Sequence, residues 1–227
     1  MKKIFYFVVL LAALSGFGAQ LLLMRLSEKR AAEASAAGME IRQPANDGNG
    51  GGQKGLRNYA TVPAFAFTDR SGSRVSLDDL KGKVWLASFV YTTCPDTCPM
   101  LSHRFQALQA KALASGNGDE VRLVSFSVDP DHDTPEVLAG YADALKASPH
   151  WYFLTGAKEQ IERVARGGFL VGFEKVPGDS GEVSHSTKIA LVDRKGVVRG
   201  YYDGIGDKDE TPRILADLET LLKEDKP

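Results

Sequence analysis

The segment VWLASFVYTTCPDTCP, residues 84–99, combines a long apolar run with two closely spaced cysteines. Val84–Tyr91 is apolar nearly throughout, which is typical of a central strand covered on both faces of a sheet. A proline follows each cysteine and pushes the residue before it out of the α region, so Cys94 and Cys98 are not both expected inside a helix. We predict a turn between the cysteines and a helix that begins at Pro99, with Cys98 near its N-cap.

The flanking sequence predicts alternating strands and helices. The remaining strands are expected at Phe65–Thr68, Val121–Val128, Trp151–Leu154, Lys188–Asp193 and Val197–Tyr202, the last two forming a hairpin around Arg194-Lys195-Gly196. The helix after the cysteine motif carries apolar residues at helical spacing over Leu101–Ala114, and further helices are expected from Thr134-Pro135 to Ala147, at Lys158–Arg166 and from Thr211 to Leu222. Phe169–Ser184 is Gly-rich and predicts an inserted hairpin or loop. This order predicts an α/β, thioredoxin-like sandwich with a central mixed sheet.

Composition describes an ordinary globular protein. The chain has 227 residues, 43% of them hydrophobic and 25% charged, with a formal net charge of −1. There is no basic stripe with interleaved aromatic residues, so a nucleic-acid partner is not indicated. About 165 residues remain after the N-terminal segments, which is enough for one domain with a core.

The N-terminus predicts a membrane anchor followed by a tether. Two lysines precede an uncharged apolar run at Ile4–Met24, which is long enough to span a bilayer. A shorter signal segment cleaved near Gly16-Phe17-Gly18 is the alternative. We therefore divide the chain into residues 1–25 as membrane anchor or signal segment, 26–58 as flexible Ala-, Gly- and Asn-rich linker, and 59–227 as folded domain. The expected location is the bacterial inner membrane, with the domain on the periplasmic or extracytoplasmic side.

The two cysteines predict chemistry rather than a structural disulfide. They are the only two in the chain, and a bridge between them would close a loop too small to stabilise the fold much. A thiol at a helix N-terminus favours its thiolate form, which suits either a metal ligand or a redox nucleophile. Two thiolates are soft ligands that favour copper(I), whereas a structural zinc site requires four protein ligands. The CxxxC spacing leaves both metal binding and disulfide chemistry open.

A third metal ligand is expected to be one of four histidines. His103 is predicted on the surface of the helix after the motif, His132 in a polar loop, and His150 at the solvent before a strand. His185 stands just before a core strand and after the Gly-rich insertion. Asp129, at the end of a strand, is expected either near the mouth of the metal site or as a turn or capping carboxylate.

The sequence resembles the SCO/SenC family of copper-binding assembly factors across the whole domain. Cys94–Pro99 after an apolar strand is similar to the family's cysteine motif, and Trp151–Gly156 to its W..LTG strand. Ser127–Pro130 with Asp133–Pro135 resembles its DPxRDTP element, although His132 replaces the arginine. His185 falls where the family places its distal histidine, with Ser184 where an aspartate is common.

The resemblance implies a thioredoxin fold and copper bound by Cys94, Cys98 and His185. It also implies delivery of that copper to the binuclear copper site of cytochrome c oxidase during assembly, with the copper-receiving oxidase subunit as partner. The alternatives are a membrane-tethered thiol–disulfide oxidoreductase that uses Cys94 and Cys98 as catalytic thiols, and a copper or redox sensor. A peroxiredoxin is a weaker alternative, because the Arg/Thr surroundings of a peroxidatic cysteine are not evident.

Overall fold

The computed structural model describes residues 56–172, 174–175, 183–184 and 186–224. Its strands are β1 (Ala60–Thr61), β2 (Ala66–Asp69), β3 (Arg74–Ser76), β4 (Val84–Val90), β5 (Val121–Ser127), β6 (Trp151–Thr155), β7 (Glu174–Lys175), β8 (Val183–Ser184), β9 (Lys188–Val192) and β10 (Val197–Asp203). Its helices are α1 (Leu77–Leu80), α2 (Thr97–Ala114), α3 (Pro135–Ala144), α4 (Lys158–Gly168) and α5 (Thr211–Lys223).

Eight strands form one mixed sheet in the order β1-β10-β9-β4-β5-β6-β2-β3. Neighbours β4, β5 and β6 are parallel, and the other pairs are antiparallel. The predicted α/β architecture with a mixed central sheet is therefore confirmed. The small antiparallel pair β7–β8 confirms a hairpin within the Gly-rich insertion, and residues 176–182 between its strands lie outside the described residues.

Apolar side chains cover both faces of the central sheet, as the nearly continuous apolar run of β4 predicted. On one face, Phe89 and Phe126 stack on each other and contact Phe169 at the end of α4. On the other face, Trp151 of β6 packs against Phe105 of α2. Side chains alternate along a strand, so β4 and β5 each contribute to both layers of the core.

Several predicted boundaries move by one to three residues. Helix α3 ends at Ala144 rather than Ala147, because Lys146 adopts a left-handed conformation with φ of 52° and the Ala147 N–H bonds back to Ala142. Helix α4 continues to Gly168, two residues beyond its predicted end. Three short elements, β1, β3 and α1, were not predicted, since two to four residues carry too little periodicity to detect.

The predicted anchor at residues 1–25 and nearly all of the predicted linker lie outside the described residues. Along the part of the chain that is described, none of the helices has the length and apolar character needed to cross a bilayer. The division into anchor, linker and domain stays a prediction.

Candidate metal centre

The cysteine motif connects β4 to α2 at the edge of the sheet where two parallel strands end. Strand β4 ends at Val90, which pairs with Ser127, the last residue of β5. Helix α2 begins at Thr97, so the predicted start at Pro99 was two residues late. Proline is tolerated in the first turn because the N–H groups there have no partner within the helix. As expected, only one of the two cysteines, Cys98, lies inside the helix.

The sulfur of Cys94 accepts a hydrogen bond from the first turn of α2. The donor is the backbone N–H of Cys98, 3.4 Å from Cys94 Sγ, and the Thr97 hydroxyl lies 3.6 Å from the same sulfur. Asp96, at the N-cap position, makes no capping bond with its side chain. The positive end of the helix dipole therefore favours negative charge on Cys94, whereas the sequence had assigned this effect to Cys98.

Cys98 lies deeper in the protein than Cys94. Its exposed fraction is 0%, against 8% for Cys94. Burial raises the pKa of the Cys98 thiol well above its ordinary value of 9.0, because a buried thiolate loses its hydration. A hydrogen bond with the Cys94 side chain and the charges of Cys94 and Asp133 raise this pKa further, while a backbone hydrogen bond involving Tyr91 opposes the shift. A thiolate at Cys98 is therefore disfavoured as long as no positive charge compensates it.

Two hydroxyl groups lie on the interior side of the cysteines. Ser102, one turn after Cys98, hydrogen-bonds through its hydroxyl to the Tyr141 hydroxyl of α3 at 2.8 Å. Burial raises the pKa of Tyr141, and negative charge on Cys98, Cys94 and Asp133 adds to the shift. The phenol therefore stays protonated and lies within electrostatic reach of both sulfurs.

A buried carboxylate joins the cysteine loop to the neighbouring loop between β5 and α3. Asp133 has an exposed fraction of 0%. It accepts hydrogen bonds from the Thr92 N–H at 3.2 Å, the Thr92 hydroxyl at 2.5 Å and the Ser127 hydroxyl at 2.6 Å, and His132 Nδ1 lies at 3.0 Å. Asp129 shapes the turn, since its carbonyl accepts the N–H groups of His132 and Asp133. Sequence reasoning weighed Asp129 and missed Asp133, because nothing in a single sequence marks which acidic residue of the loop is buried.

Three of the four histidines lie among the described residues. His103 is exposed on α2, and His150 is partly exposed immediately before β6, much as predicted. His132 lies in the predicted polar loop with its side chain 49% exposed, and its Nδ1 is 3.3 Å from the Thr92 hydroxyl. Among the described residues, no group of three or more His, Cys, Asp or Glu side chains is placed to hold a metal ion.

His185, the predicted third ligand, lies outside the described residues. The strand that follows it is described. Strand β9 runs antiparallel to β4 with Ala190 opposite Ala87, so Lys188 begins β9 at the edge of the sheet where the cysteine loop departs. The Thr187 carbonyl accepts a hydrogen bond from Gly204 N–H at 3.0 Å.

A Cβ atom at Gly204 would lie 2.6 Å from the Thr187 carbonyl oxygen and would overlap Leu101 of α2. The residue that precedes β9 is therefore packed close to the helix that begins at the cysteines. In these surroundings, the sulfurs of Cys94 and Cys98 can bind a soft metal ion or take part in disulfide exchange, and the described residues fit either chemistry.

Comparison with known proteins points to one family. Residues 53–223 match the family described as SCO1/SenC. The SCO1 protein homolog of Bacillus subtilis strain 168 is 37% identical over 176 residues, which cover 75% of this chain and 88% of that protein.

Two solved structures resemble the described fold. BsSco is a member of the Sco family of cytochrome c oxidase assembly proteins in which a disulfide switch has been identified. Its structure has a TM-score of 0.66 at 34% identity, covering 74% of this chain and 96% of that one. The copper-bound structure of Bradyrhizobium japonicum ScoI has a TM-score of 0.61 at 31% identity, covering 71% of this chain and 99% of that one. The eight-stranded mixed sheet thus matches the thioredoxin-like fold of Sco proteins.

Proposed function

The chain belongs to the SCO1/SenC family, and from that premise we propose that it is a copper metallochaperone for cytochrome c oxidase. It binds one copper ion through Cys94, Cys98 and His185 and delivers it to the binuclear copper site of the oxidase during assembly. The copper-receiving oxidase subunit is the partner. An N-terminal anchor holds the domain on the extracytoplasmic side of the bacterial inner membrane.

One observation carries the proposal: the Cys94 sulfur lies at the first turn of α2, the turn that carries Cys98. The Cys98 N–H bonds to Cys94 Sγ at 3.4 Å. Thiolates are soft donors, which select copper(I) among the ions available outside the cytoplasm. A ScoI protein that is 31% identical has been crystallised with copper bound, which supports the same cargo here.

The packing around β9 supports His185 as the third ligand. The strand starts at the edge of the sheet where the cysteine loop begins, and Thr187 is held against α2 through Gly204. Residue 185 is only two residues before Thr187, and consecutive Cα atoms are about 3.8 Å apart, so the chain length is compatible with a ligand from this segment.

Copper uptake follows from the different depths of the two cysteines. Cys94, at the helix start, is the sulfur nearer the solvent and meets incoming copper first. Cys98 keeps its proton until the metal charge compensates the buried thiolate, so uptake releases that proton. During release, a thiolate of the client displaces the protein ligands one at a time, beginning with the more accessible sulfur.

Thiol–disulfide reduction of the client is a second candidate function, favoured by the contact between Cys94 Sγ and the backbone N–H of Cys98. The Cys94 thiolate attacks a client disulfide and forms a mixed disulfide, expelling the first client thiolate. Cys98 then gives up its proton and attacks Cys94 Sγ, which releases the second client thiolate and leaves a Cys94–Cys98 disulfide. Two electrons pass from the dithiol to the client. The disulfide switch identified in BsSco is consistent with this chemistry.

Copper titration of the full-length chain in detergent tests the main proposal. We expect one copper per wild-type chain, no tight binding after Cys94→Ser or Cys98→Ser, and weaker binding after His185→Ala. The His185 loss should exceed the ~10–100-fold typical of removing a group that only orients a ligand. The matched control is His103→Ala, an exposed histidine on α2. Equal affinity of the His185 and His103 variants would remove His185 from the site, and tight binding by both serine variants would overturn the proposal.

A further inference from the structure

Asp133 is a fully buried carboxylate outside the predicted ligand set. Its contacts are the Thr92 N–H and hydroxyl, the Ser127 hydroxyl and His132 Nδ1. A backbone N–H can only donate, so the carboxylate is the acceptor at the start of the cysteine loop. Burying a carboxylate is expensive unless hydrogen bonds compensate it, and this one is compensated mainly by neutral donors.

These contacts fix the chain immediately before the first cysteine. Thr92 precedes Cys94 by two residues, and it is held by Asp133 through both its backbone and its side chain. Cys94 N–H in turn bonds to the Tyr91 carbonyl at 3.3 Å. The carboxylate therefore spans from the loop after β5 to the loop after β4 and determines where the cysteine turn begins.

The charge of Asp133 also acts on the sulfurs. Among the described residues, the one basic side chain within ion-pair distance is His132, which is charged only when protonated and whose side chain is half exposed to solvent. The carboxylate is hydrogen-bonded to Thr92, two residues before Cys94, so its charge lies close to the start of the cysteine turn. The same charge helps to raise the pKa of Tyr141, which is hydrogen-bonded to Ser102 one turn after Cys98.

A copper(I) ion with two thiolates carries a net charge of −1, whereas copper(II) with two thiolates is neutral. A negative charge nearby in a medium of low dielectric constant destabilises the first complex more than the second.

We propose that Asp133 is the positioning residue of the metal centre: it anchors the cysteine turn through Thr92, and its charge favours copper(II) over copper(I). The inference rests on the proposed function, because it assumes that copper binds at Cys94 and Cys98. It assigns two separable effects to one side chain. The hydrogen bonds set the affinity for both copper ions, and the charge sets the ratio of the two affinities.

Asp133→Asn separates charge from position. The amide oxygen can still accept from Thr92 N–H and the Ser127 hydroxyl, and the NH2 group can donate to the Thr92 hydroxyl oxygen and to His132 Nδ1. We expect the ratio of copper(II) to copper(I) affinity to fall by about tenfold, equivalent to a 59 mV rise in the one-electron midpoint potential. Asp131→Asn removes the same charge from an exposed position in the same loop and should leave the ratio within about threefold.

Thr92→Val separates position from charge, because it removes the hydroxyl bond and leaves the carboxylate in place. We expect both affinities to fall together, with their ratio unchanged. Affinities are measured on the full chain in detergent by competition with chromophoric chelators, anaerobically for copper(I), and circular dichroism checks folding. An unchanged ratio in Asp133→Asn would overturn the role of the charge, and unchanged affinities in Thr92→Val would overturn the role of position.

The cysteine variants separate failure of this inference from failure of the proposed function. If Cys94→Ser and Cys98→Ser lose copper while both tests above show no change, the metal centre stands and Asp133 is not its positioning residue. If the serine variants bind copper like wild type, the metal is not held by the cysteines and the proposed function fails first.

Discussion

Gly204→Ala should weaken copper binding without touching a ligand. The new methyl group would lie 2.6 Å from the Thr187 carbonyl oxygen and would overlap Leu101, two contacts that are both too close for carbon. Either the start of β9 or helix α2 must shift, because the Thr187 oxygen belongs to the backbone. Overpacking of this kind costs ~1–3 kcal/mol, and we expect a loss of about 2 kcal/mol in the free energy of unfolding.

The shift would separate the segment before β9 from the helix that begins at the cysteines. If His185 binds copper from that segment, the shift misplaces the ligand, and Gly204→Ala should lower copper affinity about tenfold, which corresponds to about 1.4 kcal/mol of binding free energy. The matched control is Gly156→Ala, whose methyl group would overlap Phe67 at 2.8 Å in the loop after β6, two strands from β4 in the sheet.

A double-mutant cycle with His185→Ala provides the assay. Unfolding is followed by the fluorescence of the buried tryptophans, Trp85 and Trp151, and copper affinity by chelator competition. In the His185→Ala background, Gly204→Ala should cause no further loss of affinity, since the ligand that it displaces is already gone. The reasoning is refuted if Gly204→Ala and Gly156→Ala bind copper equally well, or if the Gly204 effect persists undiminished without His185.

Three further predictions concern pH, metal and the core. The pKa of the buried Cys98 thiol is raised, so the stability that the thiol contributes is complete below pH 9.0 and is lost above it, by about 1.4 kcal/mol per pH unit. Denaturation of the copper-free protein at pH 8 and pH 10 should therefore show a smaller loss of unfolding free energy for Cys98→Ser than for wild type. An equal loss in both proteins would contradict the burial argument. Copper affinity should rise with pH, because the protons on the cysteine ligands become easier to displace, and an affinity independent of pH would show that no proton is released. Copper at about 100 times its Kd should add about 2.7 kcal/mol to the free energy of unfolding, and a chelator should remove this gain. Phe169→Ala should cost ~3–5 kcal/mol of stability, because Phe169 contacts Phe89 and Phe126 in the core. The variant should still bind one copper per chain. Loss of copper from a variant that remains folded would contradict the expectation that this part of the core does not affect the metal site.

The main elements were predictable because their patterns are long. The apolar run of Val84–Tyr91 and the Thr134-Pro135 start signal predicted β4 and α3 to within a few residues. Helix α2 begins two residues before the predicted start, because a first helical turn tolerates proline and the conformational restriction before Pro99 does not end the helix there. Strand β1 exists through pairing with the distant β10, which local sequence does not encode, and β3 is a three-residue strand paired with the preceding β2.

The site was predictable in its chemistry and less so in its detail. The cysteine spacing and the family resemblance identified Cys94 and Cys98, and the chain's membership of the family is confirmed. The role of His185 stays a prediction. Asp133 could not be found from sequence, since its burial depends on Thr92 and Ser127, which lie in two other parts of the chain. Which cysteine receives the helix N–H also depends on the helix start, the least predictable quantity.

The hydrogen bond from the Cys98 amide to Cys94 Sγ gives the protein an internal reporter. The amide proton of residue 98 points at the electron pairs that a metal or a second sulfur would use. A metal ion or a second sulfur that bonds to Cys94 Sγ withdraws electron density from the sulfur and weakens its hydrogen bond with the Cys98 amide. The nuclear magnetic resonance signal of this peptide group therefore changes with the atom bound to the sulfur. A spectroscopist could therefore distinguish empty, metal-loaded and cross-linked states from a single backbone position, without labelling the site itself.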